Sequence, residues 1–182
     1  MPKLLDNIRE KAVEQAREVL TSQGYKALTM RDIAGRCGIA VGTLYNYFPS
    51  KEYLTGSVVL EDWNNVFDRM RVLAGGAASV EMGLRGIYEQ MVSFVDSHNY
   101  LFVSGADRTE TGEYGYARRH GLLLKQLCQV LEELFSGLHR REDESILVFL
   151  AESIINFSGK RYSYDQIEEA FSRILRGDDR HQ

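Results

Sequence analysis

TMRDIAGRCGIAVGTLYNYFPSK, residues Thr29 to Lys51, is the stretch whose reading decides the fold. Thr29 is a good N-cap, and Asp32 three residues on completes a capping-box pattern. A first helix then runs from Thr29 to Cys37, with Ile33 and Ala34 inward. Ala34 is small enough to let a second helix cross closely. Gly38 supplies the left-handed backbone that a tight interhelical turn needs, and Ile39 is the apolar plug beneath that turn. A second short helix spans about Val41 to Tyr47, with Leu44 and Phe48 pointing back into the core. Val41, Gly42, Thr43, Tyr45, Asn46 and Tyr47 are left on or near its open face. Pro49 and Ser50 end it, because a residue before proline avoids the helical region. Ser50 can cap a third helix, with Glu52 well placed for its dipole. The whole reads as a helix-turn-helix.

The pieces GYKALTMRDIA, CGIAVGTLYNYF and PSKEYL, between Gly24 and Leu54, closely resemble the DNA-binding module of TetR-type (tetracycline-repressor-like) transcription regulators. The resemblance is detailed over the first third of the chain. Beyond that it holds for length and helix pattern only. It implies an all-α protein of about nine helices. Residues 1–48 would be a three-helix DNA-binding domain, and residues 49–182 a helical domain for ligand binding and dimerisation. It further implies that Val41, Gly42, Thr43, Tyr45, Asn46 and Tyr47 enter the major groove. Thr43 and Tyr47 suit phosphate, and Asn46 suits a base edge or a phosphate. Thr29 and Arg31 open the preceding helix, where amides and a guanidinium suit phosphate. Lys51 matches the family's phosphate-binding lysine.

Two positions depart from the family pattern. Ala40 stands where a Ser or Thr cap is common, so the recognition helix lacks a side-chain cap worth about 1 kcal/mol. Val41 stands where many members carry Lys or Arg. With no basic residue between Val41 and Tyr47, a bidentate arginine–guanine contact from this helix is impossible. Specificity is then expected from Tyr45, Asn46, the methyl groups of Val41 and Thr43, and DNA shape.

Composition sets the outer bounds. The 182 residues carry a net charge of −4 and only two prolines, which suits an all-helical chain. Residues 1–55 hold eight basic and six acidic side chains, a net of +2, leaving −6 for the rest. A weakly basic head on an acidic body is compatible with DNA contact at one end. The two cysteines, Cys37 and Cys128, lie far apart without metal-type spacing and read as reduced thiols. No apolar run is long enough to span a bilayer, and the charged N-terminus is no secretory signal. The expectation is a cytoplasmic protein without cofactor or metal.

Outward from the motif the pattern stays helical. Leu5, Ile8, Ala12, Ala16, Val19 and Leu20 mark a first helix from residue 3 to about 22, ended by Gly24. A long helix runs from Ser50 to about Leu73, broken by Ala74-Gly75-Gly76. Glu81 to about His98 is the next, followed by a brief helical piece around Asn99 to Ala106. The polar stretch 107–116 reads as irregular, and Gly105 to Gly121 is expected to have low local order. Tyr116 to Leu138 is strongly apolar, and residues 139–143 form a charged turn. Glu142 to Ser158 is apolar nearly all round, so it must be covered on more than one side. Ser163 to Arg176 has one narrow stripe. Two copies of these last two helices would bury both in a four-helix bundle, with Phe149, Ile154, Phe157, Ile167, Phe171 and Ile174 at the interface.

There is no GxSxG elbow, P-loop or HExxH, and the four histidines are scattered, so no catalytic residue is expected. The aromatic and methionine residues of the body are mostly core. The candidates for lining an effector cavity are Trp63, Phe67, Met70, Tyr88, Met91, Phe102 and Tyr116, with His120 at its mouth. The expected function is a repressor that binds a palindromic double-stranded operator as a homodimer and is released by a small-molecule effector. The helix from Ser50 would carry the displacement. Two other readings stay open: a helical small-molecule-binding protein that has lost DNA binding, and a helix-turn-helix regulator controlled by a protein partner.

Overall fold

A computed structural model describes the backbone of residues 2–98 and 112–176 and the side chains of residues 7–98 and 120–175. The described residues are helical throughout, joined by turns, with no strand. The expected all-α class holds.

Helix α1 spans Pro2–Gln23. Ala12, Val13, Ala16, Val19 and Leu20 form its buried stripe, at the three- and four-residue spacing of one helix face. Gly24 closes it at φ 81°, its amide donating to the carbonyls of Val19 and Leu20. A 3-10 turn, Tyr25–Ala27, leads to α2, Met30–Cys37, and α3, Val41–Tyr47. Helix α4, Lys51–Gly76, is capped by Ser50, whose Oγ accepts from the Tyr53 amide at 3.2 Å. Helix α5 is Val80–Ser97, capped by Ser79 through the Met82 amide. Helix α6 is Gly112–Gly137, α7 Glu144–Gly159 and α8 Tyr164–Arg176.

Two boundaries differ from the sequence expectation. Ala74, Gly75 and Gly76 do not end α4. They form its last turn, and Ala74 is buried in the core. Glycine lowers helix propensity by about 1 kcal/mol but does not forbid the helix, and packing overrides it. For the same reason the glycine-punctuated residues 112–116 are helical backbone, so α6 begins before Tyr116. The expected helical piece at 99–106, residues 107–111 and Phe102 lie outside the described residues.

The chain forms two compact units. Among the described residues the first comprises Pro2–Asn64 with Ser97, His98 and Gly112. Its core joins the α1 stripe to Leu28, Met30, Ile33, Ala34, Cys37, Leu44, Phe48, Leu54 and Val58. The head therefore extends past residue 48, because Leu54 and Val58 of α4 complete the core under the helix-turn-helix. The second unit contains residues 65–96 and 113–176. Its core includes Val66, Met70, Leu84, Ile87, Tyr88, Met91, Leu127, Leu131, Leu134, Leu150, Ile154 and Phe171. Gly83 of α5 faces Leu134 of α6 so closely that a Cβ there would collide with the leucine side chain.

Candidate nucleic-acid interface

The motif helices are built by local chemistry. Thr29 has extended backbone, and its Oγ accepts from the Asp32 amide at 3.2 Å, fixing the start of α2. Asp32 does not return a bond to Thr29. Its carboxylate accepts from Arg36 Nε at 2.8 Å, one helical turn on. The capping box is thus one-sided. Gly38 ends α2 at φ 73°, its amide bonded to Ala34 and Gly35 carbonyls. Lys11 of α1 adds a side-chain bond to the Cys37 carbonyl at 3.2 Å, satisfying an orphan acceptor and placing a cation where the helix dipole favours one. The buried Cys37 thiol is pushed above its ordinary pKa by desolvation, with Lys11 opposing.

Helix α3 has no such devices. Ala40 makes no side-chain cap bond, and there is no charged residue between Val41 and Tyr47. The helix is held by Leu44 and Phe48, both fully buried, and by the half-buried Tyr47 and Ile39. Its outer surface carries Val41 at 38% exposure, Gly42, Tyr45 at 48% and Asn46. Thr43 and Tyr47 flank that surface and are half-buried. Every residue expected on the open face lies on it or at its edge.

Lys51 stands in the first turn of α4, its ammonium 4.1 Å from the centre of the Tyr25 ring, within cation–π range. The Tyr25 hydroxyl donates to Glu52 Oε1 at 2.9 Å. Burial and this bond push the Tyr25 pKa up to about 12. Backbone and side-chain hydrogen bonds, including those from Tyr25 and Ser50, hold the Glu52 carboxyl below its usual range. Burial lowers the Lys51 pKa, opposed by Glu52. The arrangement ties the carboxylate down and seats the ammonium on a ring. Tyr25 reads in sequence as mere connector, and this role is invisible there because the partners are more than twenty residues away.

Most head cations are already engaged. Arg17 bonds Asp62 at 2.8 Å and Glu61 at 3.1 Å and also pairs with Glu14. Arg9 pairs with Glu61 at 3.7 Å and sits over the Phe48 ring at 5.8 Å. His98 Nε2 lies 3.0 Å from Asp62 Oδ2. Desolvation works against the Asp62 charge, but the bonds from His98 and Arg17 outweigh it and hold the carboxyl below its ordinary pKa. Arg31 and Lys26 are exposed, and among the described residues neither has an ion-pair partner.

The expected effector residues are dispersed over the two units. Met70, Tyr88 and Met91 are core, and the Tyr88 hydroxyl donates to the Tyr162 carbonyl at 2.6 Å. Phe67 lines an open groove of about 480 Å³ with Arg71, Gln129, Glu132, Glu133 and Ser136. Arg71 pairs with Glu133 at 2.9 Å, so charged side chains line the groove beside Phe67. His120 is half-buried and lies 2.9 Å from Glu152. Trp63 is buried in the first unit, and the Tyr116 side chain lies outside the described residues. The described residues hold no cluster of three metal-type ligands, and no described helix is long and apolar enough to cross a membrane.

The expected interface residues divide. Phe149 is 51% exposed, and Phe157 and Ile174 are half-buried. Ile154, Ile167 and Phe171 do not face outward: all are buried in the core of the second unit. Helix α7 is apolar nearly all round: one side meets its own core, while Val148 and Phe149 remain outside. That division cannot be read from a helix lacking a polar side.

Residues 12–58 match the family model of bacterial regulatory proteins, tetR family. The chain is similar to the HTH-type transcriptional repressor KstR of Rhodococcus jostii, with 42% identity over 62 residues, 34% of this chain and 29% of that protein. It is similar to the HTH-type transcriptional regulator UidR of Escherichia coli K12, with 35% identity over 63 residues, 35% of this chain and 32% of that protein. These matches span about a third of the length of the relatives. In fold it is similar to the transcriptional regulator FadR from Bacillus subtilis, a structure in complex with stearoyl-CoA. There the TM-score is 0.55 and the identity 20%, over 91% of this chain and 96% of that one. The resemblance to TetR-type regulators is borne out in sequence over the head. Over most of the chain the likeness to FadR is one of fold.

Proposed function

We propose that this chain is a TetR-type transcription regulator: a repressor that docks α3 of each subunit of a homodimer into the major groove of a palindromic operator. The observation that carries the reading is the outer surface of α3. A short helix held by two buried residues presents four side-chain positions to solvent, on a motif that matches the tetR family model. Thr29, Arg31, Thr43, Tyr47 and Lys51 are assigned to phosphates, and Val41, Gly42, Tyr45 and Asn46 to the groove floor. The relatives named as a regulator and a repressor support the function. Residues 1–48 with the first turns of α4 form the DNA-binding part. The rest serves dimerisation and effector binding, and the site of action is the cytoplasm.

Dimerisation is assigned to the outer sides of α7 and α8, with Phe149 as the exposed anchor. The fold neighbour crystallised with stearoyl-CoA supports a small-molecule effector for this chain. Helix α4 contributes residues to both units, so it is the element assigned to carry an effector-driven displacement to α3.

The test is an electrophoretic mobility shift of the full chain on duplexes selected from a random library, repeated across salt concentrations. Lys51→Ala should weaken binding to all sequences and lower the salt slope by about one unit. Phe149→Glu should yield monomers on sedimentation and weaken operator binding. A chain that retains no duplex, or whose salt slope ignores Lys51, would refute the assignment.

A further inference from the structure

We infer that α3 reads A·T base pairs, through the 5-methyl groups of thymine and the Hoogsteen edge of adenine. The inference rests on the DNA-binding reading above and names what that site selects. Its ground is the chemistry of the four positions on the outer surface of α3. Val41 and Tyr45 are one helical turn apart and both substantially exposed, so they form one continuous apolar strip. Gly42 beside them carries no side chain, and a Cβ built there meets nothing within 4 Å. The fold itself does not require glycine at that point. Asn46 is exposed, and its amide has no hydrogen bond among the described residues.

The major-groove edge offers four base-pair patterns, and only the A·T pairs combine a methyl group with an adenine N6–N7 donor–acceptor pair. An apolar strip matches the methyl. A free carboxamide matches adenine bidentately. Guanine O6 and N7 call for a bidentate cation, which no residue from Val41 to Tyr47 supplies. Cytosine N4 calls for a carboxylate, and there is none either. The missing side chain at Gly42 lets the backbone come close enough for a short valine to reach a methyl group. Arg31 and Lys51 flank the strip in sequence from α2 and α4, giving cations for phosphates around an apolar centre.

The experiment uses the full wild-type chain and a duplex consensus selected from a random library. Each thymine of a half-site is replaced in turn by deoxyuridine, which removes the methyl and nothing else. Affinity should fall about fourfold for each methyl buried on contact. Restoring a methyl, as 5-methylcytosine for cytosine at a contacted position, should recover affinity relative to cytosine. Val41→Ala and Tyr45→Ala should each erase the thymine–deoxyuridine difference at one position, with circular dichroism unchanged because both residues are exposed. Equal affinity for thymine and deoxyuridine throughout the half-site, or a consensus with only G·C pairs under α3, would overturn the inference and leave DNA binding standing. A library that yields no bound sequence would overturn both.

Discussion

The two helices of the motif are adjacent in sequence and opposite in construction. Helix α2 is fixed by devices of its own: a threonine cap, an Asp32–Arg36 pair, a left-handed glycine and a lysine on its last carbonyl. Helix α3 has no capping side chain and no charge, and it owes its place to Leu44 and Phe48. A seven-residue helix with no cap is unstable alone. It exists because α1, α2 and α4 provide a socket, and its outer surface stays free of intramolecular commitments. The helix assigned to DNA is thus the one with the least internal chemistry, and substitutions can separate the two kinds of support.

The largest effect should come from the socket. Leu44→Ala removes a fully buried side chain and should cost about 2–5 kcal/mol. Urea denaturation measures it, and hydrogen exchange should show α3 losing protection before α2. Equal loss in both helices would break the contrast. Next is the brace that holds the socket, Arg17 of α1 on Asp62 of α4. Asp62→Asn should cost about 1–3 kcal/mol. The folded Asp62 pKa is depressed, so the stability it lends is complete above the unfolded value of about 3.9. That stability is lost as pH falls through the lower folded value. The acid limb of a stability–pH curve should therefore flatten in Asp62→Asn.

Smaller effects test the ends of the helices. Gly38→Ala meets no neighbour, so its cost is the backbone at φ 73°, about 1–2 kcal/mol. Thr29→Ala should cost about 1 kcal/mol, while Ala40→Ser, at extended backbone that suits a cap, should gain a similar amount. Opposite signs in thermal unfolding would sharpen the contrast, and equal signs would remove it. The smallest change is Gly42→Ala, which has open space and helical backbone. It should stabilise the chain by about 0.5–1 kcal/mol while weakening operator binding. Unchanged affinity would mean that the backbone of α3 does not approach the bases closely.

The sequence by itself determined the helix-turn-helix, because every signal for it is local. Thr29 caps within three residues, Gly38 turns within one, Pro49 stops within two, and Leu44 and Phe48 share a face by spacing alone. The outer surface of α3 follows from the same periodicity. Tertiary structure alone decided the rest. Val13 belongs to the core, and Ala74 keeps α4 helical past two glycines, because packing overrides propensity. Tyr25 seats Lys51 through a contact that spans the whole motif. In α7 the sequence offers apolar residues on every side, so only the position of its neighbours turns Ile154 inward and leaves Phe149 outside. A periodic pattern selects a face only when one side of the helix is polar. Where none is, the choice belongs to the packing.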